Sequence, residues 1–547
     1  MRTMKSALAL VAVGALAAVG VQSAPANADT SPPTGTPTTV SADVLPTWQV
    51  DGVVWSMAIV GSTVYATGSF TKARPSGVAA GGTGEVDAAN IFAFDLTTGN
   101  RVTSFDHALN AQGRAVTASP DGTRVYVGGD FTTVDGVAHS HVVAFKTADN
   151  SLDGGFTAKV SNTVRALAAN STTLFIGGSY GSVNGSTRNS LAAVNSTTGA
   201  LSSTWKPKVD NGSVWSMTLT PDGTKLVVGG SFTTISSTAA YGMTALSVAN
   251  GSVLTWKANA TIRDATSTGA ITTLRTDGTQ IYGAGYAFGS GSSFEGTFAA
   301  DPADGSLTLV NDCHGDTYDV LPIGAVLYSV GHAHDCTMIG SFPDTNPRVR
   351  WQRAIAQTIK ATGTDNGPDS YGWNYKGWPS STVLHWFPQI AAGSATGQSQ
   401  GAWALAGTST YVVLGGEFPS INGKSQQGLA RMAVSTTAPN KVGPTYSNTP
   451  TRTTPATTAT STTAGQVTVT FGTAWDYDNE LLTYELLRDG TTVVASKQVR
   501  TNFWTLPDQT LTDTGAASGS SHYYQVRVKD PFGNVIRSPK SDTITVR

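Results

Sequence analysis

The chain has 547 residues, of which 13% are charged, with a net charge of −2 and 60 glycines. A hydrophobic fraction of 39% with so small a net charge excludes a disordered chain, and the low charged fraction excludes a long helical or coiled-coil protein. The near-neutral charge gives no general attraction toward nucleic acid or anionic lipid. The composition therefore predicts a glycine-rich, all-β protein of several domains.

Residues 1–28 have the pattern of a secretory signal peptide. Arg2 and Lys5 form a basic start, residues 7–21 are an apolar run, and an A-x-A cleavage site ends at Ala28. The apolar run is short for a membrane span, and no later segment of the sequence is apolar enough to be one. We therefore expect an extracellular, freely secreted protein with no transmembrane segment after cleavage.

Between residues 40 and 437 the sequence repeats a unit that most often spans about fifty residues. Each unit reads as short apolar strands, and its second strand ends in a glycine-rich segment that is mostly followed by an aromatic residue. These segments begin at Gly68, Gly128, Gly177, Gly229, Gly283, Gly331 and Gly415. In the fourth unit, strands are predicted at 214–220, 225–228, 243–248 and 252–256. Short alternating strands at a fixed period are typical of a β-propeller, and the count predicts seven blades over residues 40–437.

The two ends of the repeat region predict how the propeller closes and which domain comes after it. Residues 45–48 resemble the strand that ends each unit, so they are expected to complete the last blade and remove its exposed edge. Residues 438–464 are rich in Thr, Pro and Ser and are predicted to be a linker. Residues 465–547 alternate as strands and predict a fibronectin type III/Ig-like β-sandwich. Its segment 476–480 offers spaced oxygen ligands, either for calcium or for a solvated loop.

The repeat resembles the delta-60 type of repeat found in secreted bacterial proteins. The resemblance is carried by residues 220–232, Thr-Pro-Asp-Gly-Thr-Lys-Leu-Val-Val-Gly-Gly-Ser-Phe, and by the copies of this segment. Segments 331–336, 342–347 and 411–418 are similar to a subgroup of actinobacterial propeller proteins. The resemblance covers nearly the whole chain after the signal peptide. It implies a propeller followed by a fibronectin-like or PKD-like module, and it implies an architecture but no activity.

The sixth unit departs from the others, because histidines and a cysteine follow Gly331 where the other units have an aromatic residue. Cys313 lies just before the first strand of this unit and Cys336 just after its second strand. The two ends are neighbours in an antiparallel hairpin, so an exported chain is expected to form a Cys313–Cys336 disulfide. In the chain-entropy model such a link stabilises by about 3 kcal/mol.

The same hairpin ends bring together His314, Asp316, His332, His334 and Asp335. Three interpretations stay open: a disulfide-linked loop with hydrogen-bonded histidines, a divalent metal site, or a catalytic His/Asp pair. A His-x-His pair in a strand places both rings on one face, which predicts a metal site with His314, Asp316, His332 and His334 as ligands. A base oriented by a carboxylate is chemically reasonable, but no nucleophile motif accompanies it.

Alignment of the units places seven side chains at one equivalent position near the start of the first strand. They are Trp55, Arg114, Arg165, Trp215, Thr272, Tyr318 and Trp403. If this position faces the mouth of the propeller, the two arginines and the aromatic residues among the seven are predicted to bind a ligand, by stacking on sugars or by pairing with anions. The alternative is that these side chains pack between blades. An insertion at about 350–385 adds six aromatic residues that either bind a partner or cap a blade edge.

The sequence contains no zinc-protease motif, P-loop or dinucleotide-binding motif, and no catalytic residue is assigned. These observations predict a secreted, monomeric, non-enzymatic binding or cell-surface scaffold protein. Its expected ligand is an extracellular glycan or protein. The alternative is a secreted polysaccharide-active hydrolase or lyase with a His/Asp centre in the sixth blade.

Overall fold

The computed structural model describes residues 29, 32–264, 267–288, 292–447 and 454–547. The predicted signal peptide, residues 1–28, lies outside the described residues. Across the described ranges the chain is all-β and antiparallel, and its helical elements are two short 3₁₀ helices, Lys257–Ala260 and Thr337–Ile339. No helix in these ranges is long and apolar enough to cross a membrane.

Within the described ranges, seven antiparallel sheets of three or four strands follow one another along the chain between residues 53 and 433, and we number them sheets 1 to 7. The first strands are Val53–Val60, Gly113–Ala118, Val164–Ala169, Val214–Leu219, Gly269–Thr276, Thr317–Ile323 and Ala402–Gly407. The second strands are Thr63–Ser69, Arg124–Gly129, Thr173–Gly178, Lys225–Gly230, Ile281–Ala287, Val326–Ala333 and Tyr411–Gly416. The third strands are Ile91–Asp95, Val142–Lys146, Leu191–Asn195, Met243–Ser247, Gly296–Ala300, Gln352–Thr358 and Leu429–Ala433.

Sheets 4 and 5 have a fourth strand, Val253–Leu254 and Leu307–Asp312, whereas the other sheets have a single bridged residue in that place. Small hairpins follow the second strand of several sheets. They pair Thr133–Val134 with Val137–Ala138, Ser182–Val183 with Ser186–Thr187, Thr234–Ile235 with Thr238–Ala239, and Ser420–Ile421 with Lys424–Ser425. After the second strand of sheet 1, Lys72–Arg74 pairs with Gln49–Val50 and Val86–Asp87 in a separate three-stranded sheet. The insertion contains the pair Gly363–Thr364 and Pro379–Ser380.

Sheet 4 shows why the repeat sequence forms these strands. At the turn between its first two strands, the Thr220 hydroxyl donates to the Asp222 carboxylate at 2.5 Å, and Gly223 takes a φ of +67°. Such a φ is accessible to glycine at little cost. At the other end of the sheet, a Cβ on Gly230 would lie 2.1 Å from the Ser213 carbonyl oxygen. Glycine at the end of the second strand therefore lets the backbones approach closely.

The core lies between neighbouring sheets. The first strands of successive sheets contact one another, and the first strand of sheet 7 contacts that of sheet 1. Between sheets 3 and 4, for example, Phe175 and Leu191 belong to the same buried cluster as Leu226 and Val228. Because neighbouring sheets cover both faces, second and third strands such as Lys225–Gly230 and Met243–Ser247 are buried almost throughout, which agrees with the low charged fraction of the chain.

The N-terminal segment joins sheet 7, as the sequence predicted. The Ser41 and Leu45 N–H groups donate to the carbonyl oxygens of Ala433 and Arg431 at 2.8 and 2.9 Å. The edge of the last sheet is therefore paired by the start of the described chain, which shields it from pairing with another molecule.

The C-terminal region forms two packed sheets around a separate apolar cluster. One sheet has the strands Thr457–Thr460, Val467–Gly472 and Asp508–Asp513. The other has the order Thr492–Arg500, Leu481–Arg488, Tyr524–Lys529 and Val535–Arg537. The short strands Ser521–His522 and Ile544–Thr545 pair with each other. Phe342, Phe387, Trp475 and Phe503 form an apolar contact between this region and sheet 6.

Candidate functional site

The seven equivalent positions identified from the repeat alignment line one cavity of about 450 Å³. Tyr286, Phe288, Asp316 and Gln398 complete its wall. All seven side chains are half-buried, so they are not enclosed between the sheets. We call this space the mouth cavity. A second cavity of about 350 Å³ lies along the same first strands and shares these seven residues.

One backbone irregularity, repeated seven times, positions these side chains. In each first strand, the register with the second strand shifts across the equivalent residue. In sheet 1, for example, Val54 pairs with Gly68 and Ser56 with Thr67, which leaves Trp55 without a partner. A β-bulge inserts one extra residue and re-aims its side chain. The bulges therefore direct the seven side chains toward the cavity while residues such as Val54 remain in the core.

Aromatic faces form much of the wall. The Tyr318 and Trp403 rings stack with centroids 4.0 Å apart, and Trp55 meets Trp403 edge to face at 5.1 Å. On another part of the wall, Trp215 stacks with Tyr286 at 5.8 Å. Hydrogen bonds from the indole N–H groups hold three of these rings in place. Fixed aromatic faces next to polar groups suit the binding of sugar rings.

The two arginines of the mouth cavity differ in their partners. The Arg114 Nε donates to the Asp130 Oδ2 at 3.0 Å. Among the described residues, the Arg165 side chain forms no salt bridge, its Nε is buried without a hydrogen-bond partner, and its guanidinium lies 5.9 Å from the centre of the Trp215 ring. Burial, with the nearby Arg114 charge, lowers the pKa of Arg165 from its ordinary value. Arg165 is thus a half-buried cation available to an anionic group.

The second cavity contains a charge that is already paired. The Arg275 Nη2 lies 2.6 Å from the Asp319 Oδ2, and the backbone N–H of Leu405 donates to the same oxygen at 2.8 Å. This pair links the first strands of sheets 5, 6 and 7. The arrangement is structural, and it leaves the mouth cavity as the better place for an external ligand.

The disulfide predicted in the sixth unit is confirmed, since Cys313 and Cys336 are bonded. The neighbouring backbone also pairs. The His314 N–H donates to the Asp335 carbonyl oxygen, and the His334 N–H donates to the His314 carbonyl oxygen, both at 2.8 Å. The two ends of the hairpin are therefore adjacent, as the antiparallel geometry predicted.

Two of the four predicted metal ligands lie against the mouth cavity. The Tyr318 hydroxyl is 3.2 Å from the Asp316 Oδ2 and 3.3 Å from the His332 Nδ1. The His332 Nδ1 is also 3.0 Å from the Gln400 Oε1. Burial, with the nearby charge of Glu295, raises the pKa of Asp316 to about 7. Asp316 and His332 thus form a polar group around Tyr318.

The other two predicted ligands have different neighbours. The His334 Nδ1 faces the Asp344 Oδ2 at 3.3 Å, and burial lowers the pKa of His334 to about 4. The His314 ring is 6.3 Å from the His334 ring, but its Nε2 points to Asp312 and Asp369. The three histidine rings are neighbours. Within the described residues, however, the ligand atoms that lie within 4.8 Å of one another belong to Asp312, His314 and Asp369.

One carboxylate of segment 476–480, that of Asp478, contacts the N-terminal segment. The Asp478 Oδ2 accepts hydrogen bonds from the Ser41 hydroxyl at 2.9 Å and the Ala42 N–H at 2.6 Å. The His385 Nε2 lies 2.8 Å from the Asp476 carbonyl oxygen. This segment therefore holds the C-terminal region against the repeat region.

Several site residues were missed by sequence reasoning. Asp312 had a usable signal, because it lies two residues before His314 and strand alternation places both side chains on one face. Asp365 and Asp369 lie in the insertion, about fifty residues from His314, and no repeat connects them to it. Tyr286 has a repeat signal, since it is the aromatic residue that follows the glycine-rich segment of the fifth unit.

No protein-family model matches this chain, and no curated protein matches it. Two solved structures give weak likenesses. A computationally designed protein, Ika8, is 13% identical over 72% of this chain and 99% of its own, with a TM-score of 0.38. A chain of a mitotic checkpoint complex is 11% identical over 73% of this chain and 98% of its own, with a TM-score of 0.40. At these scores neither likeness supports an argument about the fold or function of this protein.

Proposed function

We propose that this protein is a secreted, non-enzymatic binding protein whose mouth cavity binds an extracellular glycan that carries acidic groups. In this proposal, sheets 1 to 7 are the blades of a seven-bladed β-propeller, and the C-terminal sheets are a fibronectin type III-like module. The signal-peptide pattern and the disulfide support an extracellular location. The order of the C-terminal strands, three on one sheet and four on the other, supports the module.

One observation carries the proposed function. Seven bulged residues, one from each first strand, line a single cavity and present aromatic faces beside the Arg165 guanidinium, whose Nε has no hydrogen-bond partner within the described part of the chain. Stacking on Trp403, Tyr318 and Trp215 would hold sugar rings, and Arg165 would pair with a carboxylate or sulfate. The cavity volume of about 450 Å³ falls in the range of small-ligand sites.

Binding to a panel of neutral and acidic oligosaccharides, measured by calorimetry, tests this proposal. We expect Arg165→Ala to weaken the binding of the acidic members about tenfold or more, equivalent to about 1.4 kcal/mol. Trp403→Ala should weaken neutral and acidic members alike. Arg537→Ala, an exposed arginine of the C-terminal region, is the matched control and should bind like the wild type. Equal affinities of the wild type and Arg165→Ala for acidic glycans would contradict the proposal.

A second candidate function rests on Tyr318. Its hydroxyl is on the cavity wall and in contact with His332 and Asp316, which is a geometry suited to proton transfer. With Arg165 on a uronate carboxylate, such a group would support β-elimination. In that step the proton α to the carboxylate leaves, the bond to the glycosidic oxygen breaks, and that oxygen is protonated. If the wild type forms unsaturated uronide products from the acidic glycans and Tyr318→Phe does not, the protein is a polysaccharide lyase and not a non-enzymatic binding protein.

A further inference from the structure

A buried group of ionisable side chains lies outside the mouth cavity, under the insertion. Asp312 ends the fourth strand of sheet 5, His314 follows the disulfide cysteine, and Asp369 lies in the insertion loop. One ligand atom from each of the three lies within 4.8 Å of the other two. None of the three lines the mouth cavity. The group is therefore independent of the proposed glycan site.

The His314 ring is oriented from both sides. Its Nδ1 lies 3.3 Å from the Glu295 Oε2, an oxygen that also accepts the Gly315 N–H at 3.1 Å. A proton on Nδ1 leaves the lone pair of Nε2 directed at two carboxylates. The Nε2 is 2.6 Å from the Asp369 Oδ2 and 3.7 Å from the Asp312 Oδ1. A carboxylate that orients a histidine through its far nitrogen is a recurrent feature of metal sites in proteins.

The inward-facing atoms lack other partners. Both carboxylate oxygens of Asp312, the His314 Nε2 and the Asp369 Oδ2 are buried without a hydrogen bond of normal geometry within the described part of the chain. The three side chains are at most 2% exposed. The other oxygen of Asp369, by contrast, accepts three backbone N–H groups of its own loop at 2.7 to 2.9 Å. Buried carboxylates without partners are unfavourable unless a cation compensates them.

We propose that Asp312, His314 and Asp369 bind a divalent transition-metal cation such as Zn²⁺ or Mn²⁺. Two carboxylate oxygens and one imidazole nitrogen form a mixed donor set that suits these ions better than calcium, which prefers oxygen ligands alone. Asp365, in the same loop, is also buried with its Oδ2 unpartnered among the described residues, but its carboxylate lies outside this set of mutually close ligand atoms.

The position of the site indicates what the ion does. Tyr371 and Trp373 of the insertion pack on the His314 ring, with centroids 4.1 and 5.3 Å away. Two ligands come from the chain that ends sheet 5 and enters sheet 6, and one comes from the insertion. A bound ion would therefore fasten the insertion loop next to the Cys313–Cys336 disulfide, and it would order the aromatic residues there.

Metal content of the full chain tests the proposal directly. Wild-type protein, equilibrated with Zn²⁺ or Mn²⁺ and then dialysed, should retain about one ion per chain by elemental mass spectrometry. Asp312→Asn and Asp369→Asn should lose most of it. Asp344→Asn is the matched control, because Asp344 is a nearby carboxylate that pairs with Arg348 and His334 instead, and it should retain the ion.

Thermal unfolding of the wild type gives a second readout that needs no variant. A chelator should lower Tm and speed proteolysis within residues 365–378, and Zn²⁺ or Mn²⁺ should reverse both effects, whereas Ca²⁺ should not. A wild type that retains no stoichiometric ion and has a chelator-insensitive Tm would overturn the proposal. His314 would then be a protonated imidazole that pairs with Asp369. Recovery by Ca²⁺ alone would overturn the assigned class of metal.

Discussion

Two parts of the molecule use carboxylates in opposite ways. In sheets 2 and 4, Asp121 and Asp222 lie in exposed turns, where hydrogen bonds, first from the hydroxyls of Ser119 and Thr220, lower the pKa of each to about 2. Between sheets 5 and 6, Asp312 is enclosed, and burial raises its pKa to about 7. A turn carboxylate keeps its charge in water, but an enclosed one needs a counter-ion or a proton.

This difference between turn carboxylates and enclosed carboxylates divides the molecule into two parts. The regular part is made of the sheets that follow the repeat, and the irregular part is the region around sheets 5 and 6. The regular sheets are held together by apolar packing and by close backbone approach at glycines, and their carboxylates shape turns. Around sheets 5 and 6 the chain replaces this pattern with a disulfide, three neighbouring histidines and buried acids. A region that breaks the repeat and also encloses unpaired polar atoms is where a specific chemical role is expected.

The largest expected effect comes from the disulfide, which only the irregular part has. The double variant Cys313→Ser/Cys336→Ser should lose about 3 kcal/mol of unfolding free energy, because the bond closes a loop with a sequence separation of 23. Equilibrium denaturation under oxidising conditions measures the loss. Adding a reductant should destabilise the wild type and leave the double variant unchanged. Equal denaturation midpoints for the wild type and the double variant would show that the disulfide does not contribute to the stability of the irregular part.

The regular part should instead depend on glycine. Gly230→Ala places a Cβ against the Ser213 carbonyl oxygen, and we expect a loss of about 2 kcal/mol from the resulting strain. Gly181→Ala is the control, because nothing lies within 4 Å of its added Cβ, and its effect should stay within about 0.5 kcal/mol. Denaturant midpoints of the two variants give the comparison. If the two variants have equal denaturant midpoints, the repeated glycines are not needed for the close approach of neighbouring backbones.

Local sequence patterns are sufficient to find the strands. In the fourth unit the pattern predicts strands at 214–220, 225–228, 243–248 and 252–256, and the structure has strands at Val214–Leu219, Lys225–Gly230, Met243–Ser247 and Val253–Leu254. Alternation and turn residues are local signals, so the prediction needs no knowledge of the packing. The second strand is longer than predicted because its two glycines still pair with the first strand.

The candidate sites were only partly predictable. The repeat alignment identified Trp55 and its equivalents. The β-bulge that directs them to the cavity could not be predicted from the alternation of apolar and polar residues. The His314 neighbourhood was found through its composition. Asp369 was missed, because the contact depends on how the insertion folds back over sheet 5, and no period relates the two segments.

The smallest predicted effect is a pH dependence at Asp264, beside sheet 5. Its Oδ1 accepts the N–H groups of Ser293 and Phe294 at 2.9 and 3.0 Å, and burial raises its pKa well above the ordinary value. The folded protein therefore keeps a proton where the unfolded chain has lost it. This contribution to stability is complete below the ordinary aspartate pKa of about 4 and declines as pH rises toward the folded pKa.

Asp264→Asn removes this dependence, because an amide does not ionise and its oxygen accepts the same two N–H groups. Denaturant midpoints at pH 5 and pH 8 should therefore favour the variant over the wild type more strongly at pH 8. Asp222→Asn is the control from the regular part. The pKa of Asp222 is lowered to about 2, so its contribution is lost only in acid, and its difference from the wild type should not change between pH 5 and pH 8. If Asp264→Asn also kept a constant difference, the carboxylate would be ionised and compensated in the fold, and the contrast between the two parts would rest on the Asp312 cluster alone.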